Sequence, residues 1–222
     1  MKQMKLKFII ESDATFGKGD GVAGYIDSEI QHDKYGLPFL GGRTLKGVIE
    51  EECANILYSL ELQGKKDIFL PSAARLFGVP GSRNEDKAIM SISDAILPKD
   101  VRSIIIKKVK EGKLRYQQVL DSLCSIRQQT SIDPETGAPK KGALRSSRVI
   151  LRETPFESEL SFIADISPED KGLLGACLKA VRRAGLDRNR GKGRIKYCSL
   201  VDENGNDVSD LYFNEFLRVV SE

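Results

Sequence analysis

Gly185-Leu-Asp-Arg-Asn-Arg-Gly-Lys-Gly-Arg194 puts four basic side chains and three glycines into ten residues, and what flanks it decides the fold. Ser167-Pro-Glu-Asp170 upstream is a helix start: a capping serine, a proline and two acids. Apolar residues at helical spacing follow it and predict a helix to about Ala184, with Gly185 at the C′ position. Ile195, Tyr197 and Ser199 then alternate, which predicts a strand over 193–201. Glycine lets a backbone take positive φ and approach a second polymer closely. Arginine and lysine beside such a loop suit phosphate oxygens. A helix, basic loop and strand in this order read as a seat for a nucleic-acid backbone or as a solvated basic turn.

Far from this loop in sequence, residues 4–12 alternate with Leu6, Phe8 and Ile10 on one face, the pattern of a strand. Residues 13–33 are rich in glycine and acid and read as a long loop or short hairpin. A helix is expected from Thr44, as its cap, to about Leu60, because Leu45, Val48, Ile49, Cys53, Ile56, Leu57 and Leu60 form one stripe. A short helix over 71–77 is stopped by Gly78, and 81–86 reads as a mobile polar loop. Residues 88–97 alternate as a strand, 101–112 are ambiguous, and 116–127 have helical spacing. Strands are expected over 147–153 and 157–165, on either side of Pro155. Without its central part the chain reads β-α-β twice, an α+β arrangement of the ferredoxin-like kind. Two helices then cover one face of an antiparallel sheet, leaving the other for a ligand or an extra segment. The chain reads as a single domain over 1–222, with about 98–147 as an inserted subdomain. There is no internal repeat.

A net charge of only +3 over 222 residues hides strong clustering. Residues 136–152 hold Lys140, Lys141, Arg145, Arg148 and Arg152 and no acid, while 179–196 hold eight basic residues against Asp187 alone. Such clustering matters more for phosphate binding than net charge. The cysteines, Cys53, Cys124, Cys177 and Cys198, form no C-x-x-C pair, which argues against zinc; Cys53 and Cys177 fall on apolar stripes as core thiols. Without a signal peptide or a long apolar run, the expectation is a reduced, cytoplasmic protein with no membrane partner.

Gly36-Leu-Pro-Phe-Leu-Gly-Gly-Arg-Thr-Leu-Lys-Gly47 delivers a glycine pair into a helix whose first turn holds Arg43, Thr44 and Lys46. A helix start attracts phosphate, and the spacing is not that of a nucleotide-binding P-loop, so a polymer phosphate fits better than a nucleotide triphosphate. An ordinary loop-to-helix junction is the plainer alternative. Residues 19–33 contain Asp20, Asp27, Glu29 and Asp33 together with the only histidine, His32. Carboxylates near RNA phosphates call for a cation such as Mg²⁺, or else are solvated loop acids. A single histidine excludes a two-histidine acid–base ribonuclease, and His32 reads as a surface side chain. Asp133-Pro-Glu-Thr-Gly137 is a turn, and the basic flank with Lys140, Lys141 and Arg145 suggests a hairpin lying along an acidic polymer, or else a solvated hairpin. Few aromatic residues accompany it, which disfavours base stacking.

In their order these runs resemble the RAMP superfamily of CRISPR-associated proteins, and most of all the repeated backbone subunits of type III effector complexes. Residues 36–47 are similar to that family's glycine-rich junction ending in K-G. Ala74-Arg-Leu-Phe-Gly78 with Ser91-Ile-Ser-Asp-Ala95 resembles its L-F-G and V-S-D-A pair. Thr130-Ser-Ile-Asp-Pro-Glu-Thr-Gly137 resembles the segment of its thumb hairpin, Pro155-Phe156 its strand entry, and 184–195 its terminal glycine loop. The resemblance implies a modified RNA-recognition-motif core that holds guide crRNA along its sheet and basic loop. Contact is implied at Arg43, Thr44 and Lys46 and at the loop cations Arg188, Arg190, Lys192 and Arg194. It implies target single-stranded RNA and other effector subunits, copies or paralogues, as partners. In catalytic members an aspartate after the first strand supports metal-dependent target cleavage; the matching residue is Asp27, with Mg²⁺ or Mn²⁺ as the ion. Two positions differ: Phe16 stands where many members have histidine, and Gly41-Gly-Arg-Thr44 where many have Pro-Gly-Ser-Ser. The alternative on the same fold is a non-catalytic RNA scaffold. A repeat-processing nuclease of the superfamily needs acid–base groups that this chain scarcely has. A small-molecule enzyme on a ferredoxin-like sheet is the rival outside it.

Overall fold

The structure is a computed structural model that describes residues 2–22, 24–79 and 87–221. Alternation in β1 (Lys2–Ile10) buries Met4, Leu6, Phe8 and Ile10 on one face. β1 pairs antiparallel with β5 (Pro155–Phe162) on one side and with β6 (Ile195–Val201) on the other. β2 (Met90–Ile92) adds to β5, so the sheet order is β2-β5-β1-β6. Read as the first, second, third and fourth core strands, this is the ferredoxin-like order with every neighbour antiparallel. Phe8 stands opposite Phe156, their rings stacked 5.4 Å apart, and one hydrophobic cluster joins them to Leu45, Ile49, Cys53, Leu174 and Cys177 of the helices. The helical layer consists of α1 (Gly42–Glu61), α2 (Lys66–Phe77), α5 (Pro168–Ala180) and α6 (Ser209–Ser221). The other sheet face carries paired charges, with Lys7 3.6 Å from Glu157 and Lys99 2.7 Å from Glu159.

Between β2 and β5 come α3 (Lys99–Lys110), α4 (Tyr116–Leu123) and a separate two-stranded sheet of β3 (Cys124–Gln129) and β4 (Arg145–Ile150). The ambiguous 101–112 stretch is therefore helical. Helical spacing over 116–127 holds only to Leu123, because Cys124–Gln129 pairs residue for residue with β4, and tertiary pairing overrides periodicity. The strand expected over 147–153 belongs to this second sheet. The strand expected over 88–97 is a ladder only at Met90–Ile92; Ala95 and Ile96 then bridge to Leu40 and Glu157.

Several helix ends differ from expectation for local reasons. α1 starts at Gly42, with Thr44 inside its first turn, and the Gly42 N–H donates to Asp94 Oδ1 at 2.8 Å. A Cβ at Gly42 would lie 2.3 Å from the Ile92 carbonyl oxygen, so glycine is needed where α1 enters beside β2. α2 begins at Lys66 and runs through Pro71, because Phe69 is buried and stacks on Phe216 at 5.0 Å. Gly78 does end it, at φ +88°. α5 begins as read, with the Ser167–Asp170 capping box, but stops at Ala180. Residues 182–184 instead pair with 193–195: the Ala184 N–H donates to the Gly193 carbonyl and the Ile195 N–H to the Arg182 carbonyl, both at 2.8 Å. The basic loop is thus the turn of a small hairpin, and Gly185 is not a helix cap. Helix α6 was not expected; Gly172 and Gly175 of α5 admit it, since a Cβ at either would lie within 2.7 Å of an α6 backbone nitrogen. The loop read at 81–86 lies outside the described residues.

Candidate nucleic-acid interface

Strand β4 brings the chemically distinctive segments together. Its first four residues, Arg145-Ser-Ser-Arg148, face the basic loop and the acid loop in alternation. Arg145 lines a cleft of about 490 Å³ with Gln129, Thr130, Ser131, Ala143 and Arg190 of the basic loop. Ser146 holds the acid loop: its N–H donates to Asp27 Oδ2 at 2.6 Å, its Oγ lies 3.3 Å from the same oxygen, and its carbonyl accepts the Asp27 N–H at 2.9 Å. Ser147 Oγ accepts from Lys192 Nζ at 3.1 Å. Arg148 Nε donates to Glu29 Oε1 at 2.9 Å, with both side chains only 8% exposed. Ser28 also bridges in parallel to Ser147, and the Arg148 N–H donates to the Ser28 carbonyl at 3.0 Å. Residues 27–29 therefore lie along β4 through one isolated bridge at Ser28, fixed at both ends by side chains.

The expected loop cations differ in what they are free to do. Lys192 is buried and also donates to Asp187 Oδ2 at 3.2 Å, so its charge organises the loop from within. Asp187 takes the left-handed conformation at φ +55° and lies 3.7 Å from Arg190, which is exposed. Arg188 is paired at 2.8 Å with Glu51 of α1. Arg194 is exposed, 3.6 Å from Glu11, while its N–H donates to Ser12 Oγ at 2.9 Å. A Cβ at Gly193, φ +67°, would collide with the Ala184 carbonyl oxygen at 1.9 Å, so the turn requires glycine there. Lys140, Lys141 and Arg145 are exposed, with no side-chain hydrogen bond or ion pair among the described residues.

The start of α1 stands apart from β4. Arg43 and Thr44 are exposed there without a side-chain partner among the described residues. Lys46 Nζ donates to the Met90 carbonyl at 3.2 Å, and burial lowers its pKa, an effect that Glu50 partly opposes. The start of α1 is not bare, because Asp94 already takes the Gly42 N–H as an anion would. Among the other acids, Asp33 is paired with Arg102 at 2.6 Å and accepts from the Tyr35 N–H at 2.8 Å. His32 is half-buried rather than on the surface, with the Tyr116 hydroxyl 3.1 Å from Nδ1; burial raises the Tyr116 pKa, and nearby Glu29 adds to it. Burial likewise pushes the Cys124 thiol at the root of β3 up to about 12. Phe16 is buried with its ring 5.4 Å from Phe156 and serves the core. Sequence reading named Asp27 and the cations but missed Ser146, Ser147 and Asp187. Arg148 was legible only as one charge in a basic run.

Asp27 is exposed beside a depression of about 480 Å³ lined by Gly21, Val22, Gly24, Tyr25, Ile26 and Ser146. Its Oδ1 accepts no hydrogen bond among the described residues, and these contain no group of three His, Cys, Asp or Glu side chains placed to hold a metal ion. The donor set present is one carboxylate oxygen. This suits Mg²⁺ or Mn²⁺ only in a site completed by substrate phosphates and water, the way Mg²⁺ is usually held.

The sheet order, the helical cover and the clustered loops define a ferredoxin-like domain with a basic and acidic loop system gathered on an inserted hairpin. The chain belongs to the RAMP superfamily, whose profile matches residues 7–196. Its fold is similar to that of a chain in the cryo-EM structure of type III-B Cmr-beta bound to cognate target RNA, at 14% identity and a TM-score of 0.61 over 88% of this chain and 96% of that one. A chain of the apo state of Cmr-beta is similar at 15% identity and a TM-score of 0.63, over 91% of this chain and 98% of that one. No curated protein matches the sequence. No helix among the described residues is long and apolar enough to cross a membrane.

Proposed function

We propose that this chain is a backbone subunit of a type III CRISPR effector complex that binds guide crRNA and cleaves target RNA at Asp27. The observation that carries the reading is the convergence on β4, where four consecutive residues join the acid loop, the glycine loop and the hairpin. The family match and the likeness of fold to chains of Cmr-beta, a complex whose structure is solved bound to cognate target RNA, support it. The guide's phosphates lie on the exposed cations Arg145, Arg190 and Arg194, with Lys140 and Lys141 on the hairpin and Arg43 and Thr44 at α1 as further contacts. The open sheet face contributes less than a sheet-wide track implies, since Lys7 already pairs with Glu157 and the strand also exposes Glu159, which pairs with Lys99 of α3. In cleavage the ribose 2′-oxygen, losing its proton to water, attacks the adjacent phosphorus while the P–O5′ bond breaks and the 5′-oxygen leaves as a hydroxyl, giving a 2′,3′-cyclic phosphate; the protein bends the target backbone into line. Asp27 would hold Mg²⁺ or Mn²⁺ through Oδ1; such an ion, when bound, offsets charge at the scissile phosphate.

Asp27→Asn keeps the side chain's size and removes its charge. In an assembled complex it should bind guide and target as wild type does and lose most cleavage, while wild-type cleavage should stop with chelator and return with Mg²⁺. Unaltered cleavage by Asp27→Asn would remove Asp27 from the chemistry. A scaffold without cleavage is the second reading, and one contact favours it: the bond from Ser146 gives Asp27 a structural duty that needs no catalysis. An assembled wild-type complex that never cuts its target establishes that reading.

A further inference from the structure

Asp27 has one oxygen engaged and one open, and Ser146 produces this asymmetry. The Ser146 N–H approaches Oδ2 at 2.6 Å, the hydroxyl lies 3.3 Å from the same atom, and that hydroxyl also donates to the Tyr25 carbonyl at 3.0 Å. The Ser146 carbonyl in turn accepts the Asp27 N–H at 2.9 Å. One residue therefore grips both the backbone and the side chain of Asp27, as well as the turn that precedes it. Two residues further along each segment, the buried Arg148–Glu29 pair prevents 27–29 from sliding along β4, because a slip would leave two charges buried and unpaired. The carboxylate thus has little freedom to rotate, and its free oxygen has a fixed aim beside the depression lined by Tyr25 and Ser146.

We infer that Ser146 is a positioning residue that orients Asp27 so that only Oδ1 is presented to substrate and ion; the inference rests on the reading of Asp27 as the cleavage residue. Outer hydrogen-bond partners of this kind usually change metal affinity or activity about 10- to 100-fold when they are removed. The residue comes from the inserted hairpin, so guide contacts that move β4 also move Asp27. This ties cleavage to the seating of RNA on the same strand.

The test compares Ser146→Thr with Ser146→Val, which share a shape and differ in the hydroxyl, beside Asp27→Asn, all in the assembled RNA-loaded complex. Ser146→Thr should cleave within about threefold of wild type, while Ser146→Val should slow single-turnover cleavage about tenfold and raise the Mg²⁺ concentration for half-maximal rate. Guide and target affinities should not change. In the RNA-free protein, amide exchange at Ser146 should be slow in the wild type and at least about tenfold faster in Asp27→Ala, because the N–H loses its acceptor. If Ser146→Val matches wild type in rate and Mg²⁺ dependence while Asp27→Asn is dead, the inference falls and the cleavage reading stands. Equal Ser146 exchange in wild type and Asp27→Ala likewise overturns it. If Asp27→Asn itself cleaves normally, or the wild type does not cleave, the reading beneath it has failed.

Discussion

Arg148 and Glu29 are 119 residues apart in sequence, yet form an ion pair almost out of solvent. The pair is further satisfied by the Ile30 N–H, which donates to Glu29 Oε1 at 2.9 Å, and by Asp121, 3.8 Å from Arg148 Nη1. Breaking such a pair from one side leaves an uncompensated buried charge, which costs about 3–5 kcal/mol. Arg148→Met should therefore lower the free energy of unfolding by about that amount in urea denaturation, and Arg148→Met with Glu29→Leu should recover much of it. A loss below about 1 kcal/mol for the single variant would mean that the pair is not desolvated in solution. Charge type and clustering are visible in a sequence, and they led to the basic runs and to four acids in one loop, among which only the family resemblance singled out Asp27. Which cation meets which anion is not, because the partners meet only after the hairpin has docked on the acid loop. Ser146 left no signal at all, since its backbone N–H and its hydroxyl both act on residues 119 and 121 positions away.

At the scale of the element, the glycine loop shows what periodicity can and cannot reveal. Its composition was legible, and so were the α5 capping box and the β6 alternation. Its geometry was not, because helical spacing persists past Ala180 while the backbone turns away to pair 182–184 with 193–195. That geometry divides the loop cations into two kinds. Arg190 is exposed with a distant partner at 3.7 Å, whereas Lys192 is buried between Ser147 and Asp187. Arg190→Ala should weaken binding to RNA of any sequence and reduce the salt slope by about 0.7, the share of one phosphate contact on a single strand, with no change in melting temperature. Lys192→Met should lower the melting temperature, because it leaves Asp187 without its nearer partner. Filter binding across a salt series, paired with thermal melts, separates the two. The opposite assignment of effects would show that Lys192 opens toward RNA and that the closed loop is not the binding form.

For the whole molecule, the twice-repeated β-α-β order was readable because four strands and two long helices carry strong periodicity, and the sheet order follows from it. Helix α6 was not, because its docking depends on Gly172 and Gly175, which look like ordinary small residues in an apolar stripe. The hairpin between β3 and β4 was legible as a turn with a basic flank, and its place in the architecture now permits a sharper statement. The tip turn is self-contained: the Gly137 N–H donates to the Asp133 carbonyl at 2.8 Å, and Asp133 Oδ1 accepts the Glu135 N–H at 2.9 Å. No residue of 133–142 belongs to the hydrophobic core, while Ile132 and Leu144 at its base are 56% and 63% exposed. A segment that buries so little contributes little to folding. Two apolar side chains and two lysines held outward gain more from a neighbour than from the chain itself. Deleting 133–142 should therefore leave the melting temperature and far-UV circular dichroism of the isolated chain at wild-type values. The same deletion should weaken assembly with guide RNA and partner subunits, read as lost comigration in size-exclusion chromatography. Global unfolding on deletion would place the tip in the core, and normal assembly would relieve it of any role in RNA or subunit contact. Because β4 reaches Asp27 through Ser146, well below the tip, the shortened hairpin should still hold the acid loop, with the Ser146 amide as protected from exchange as in the intact chain.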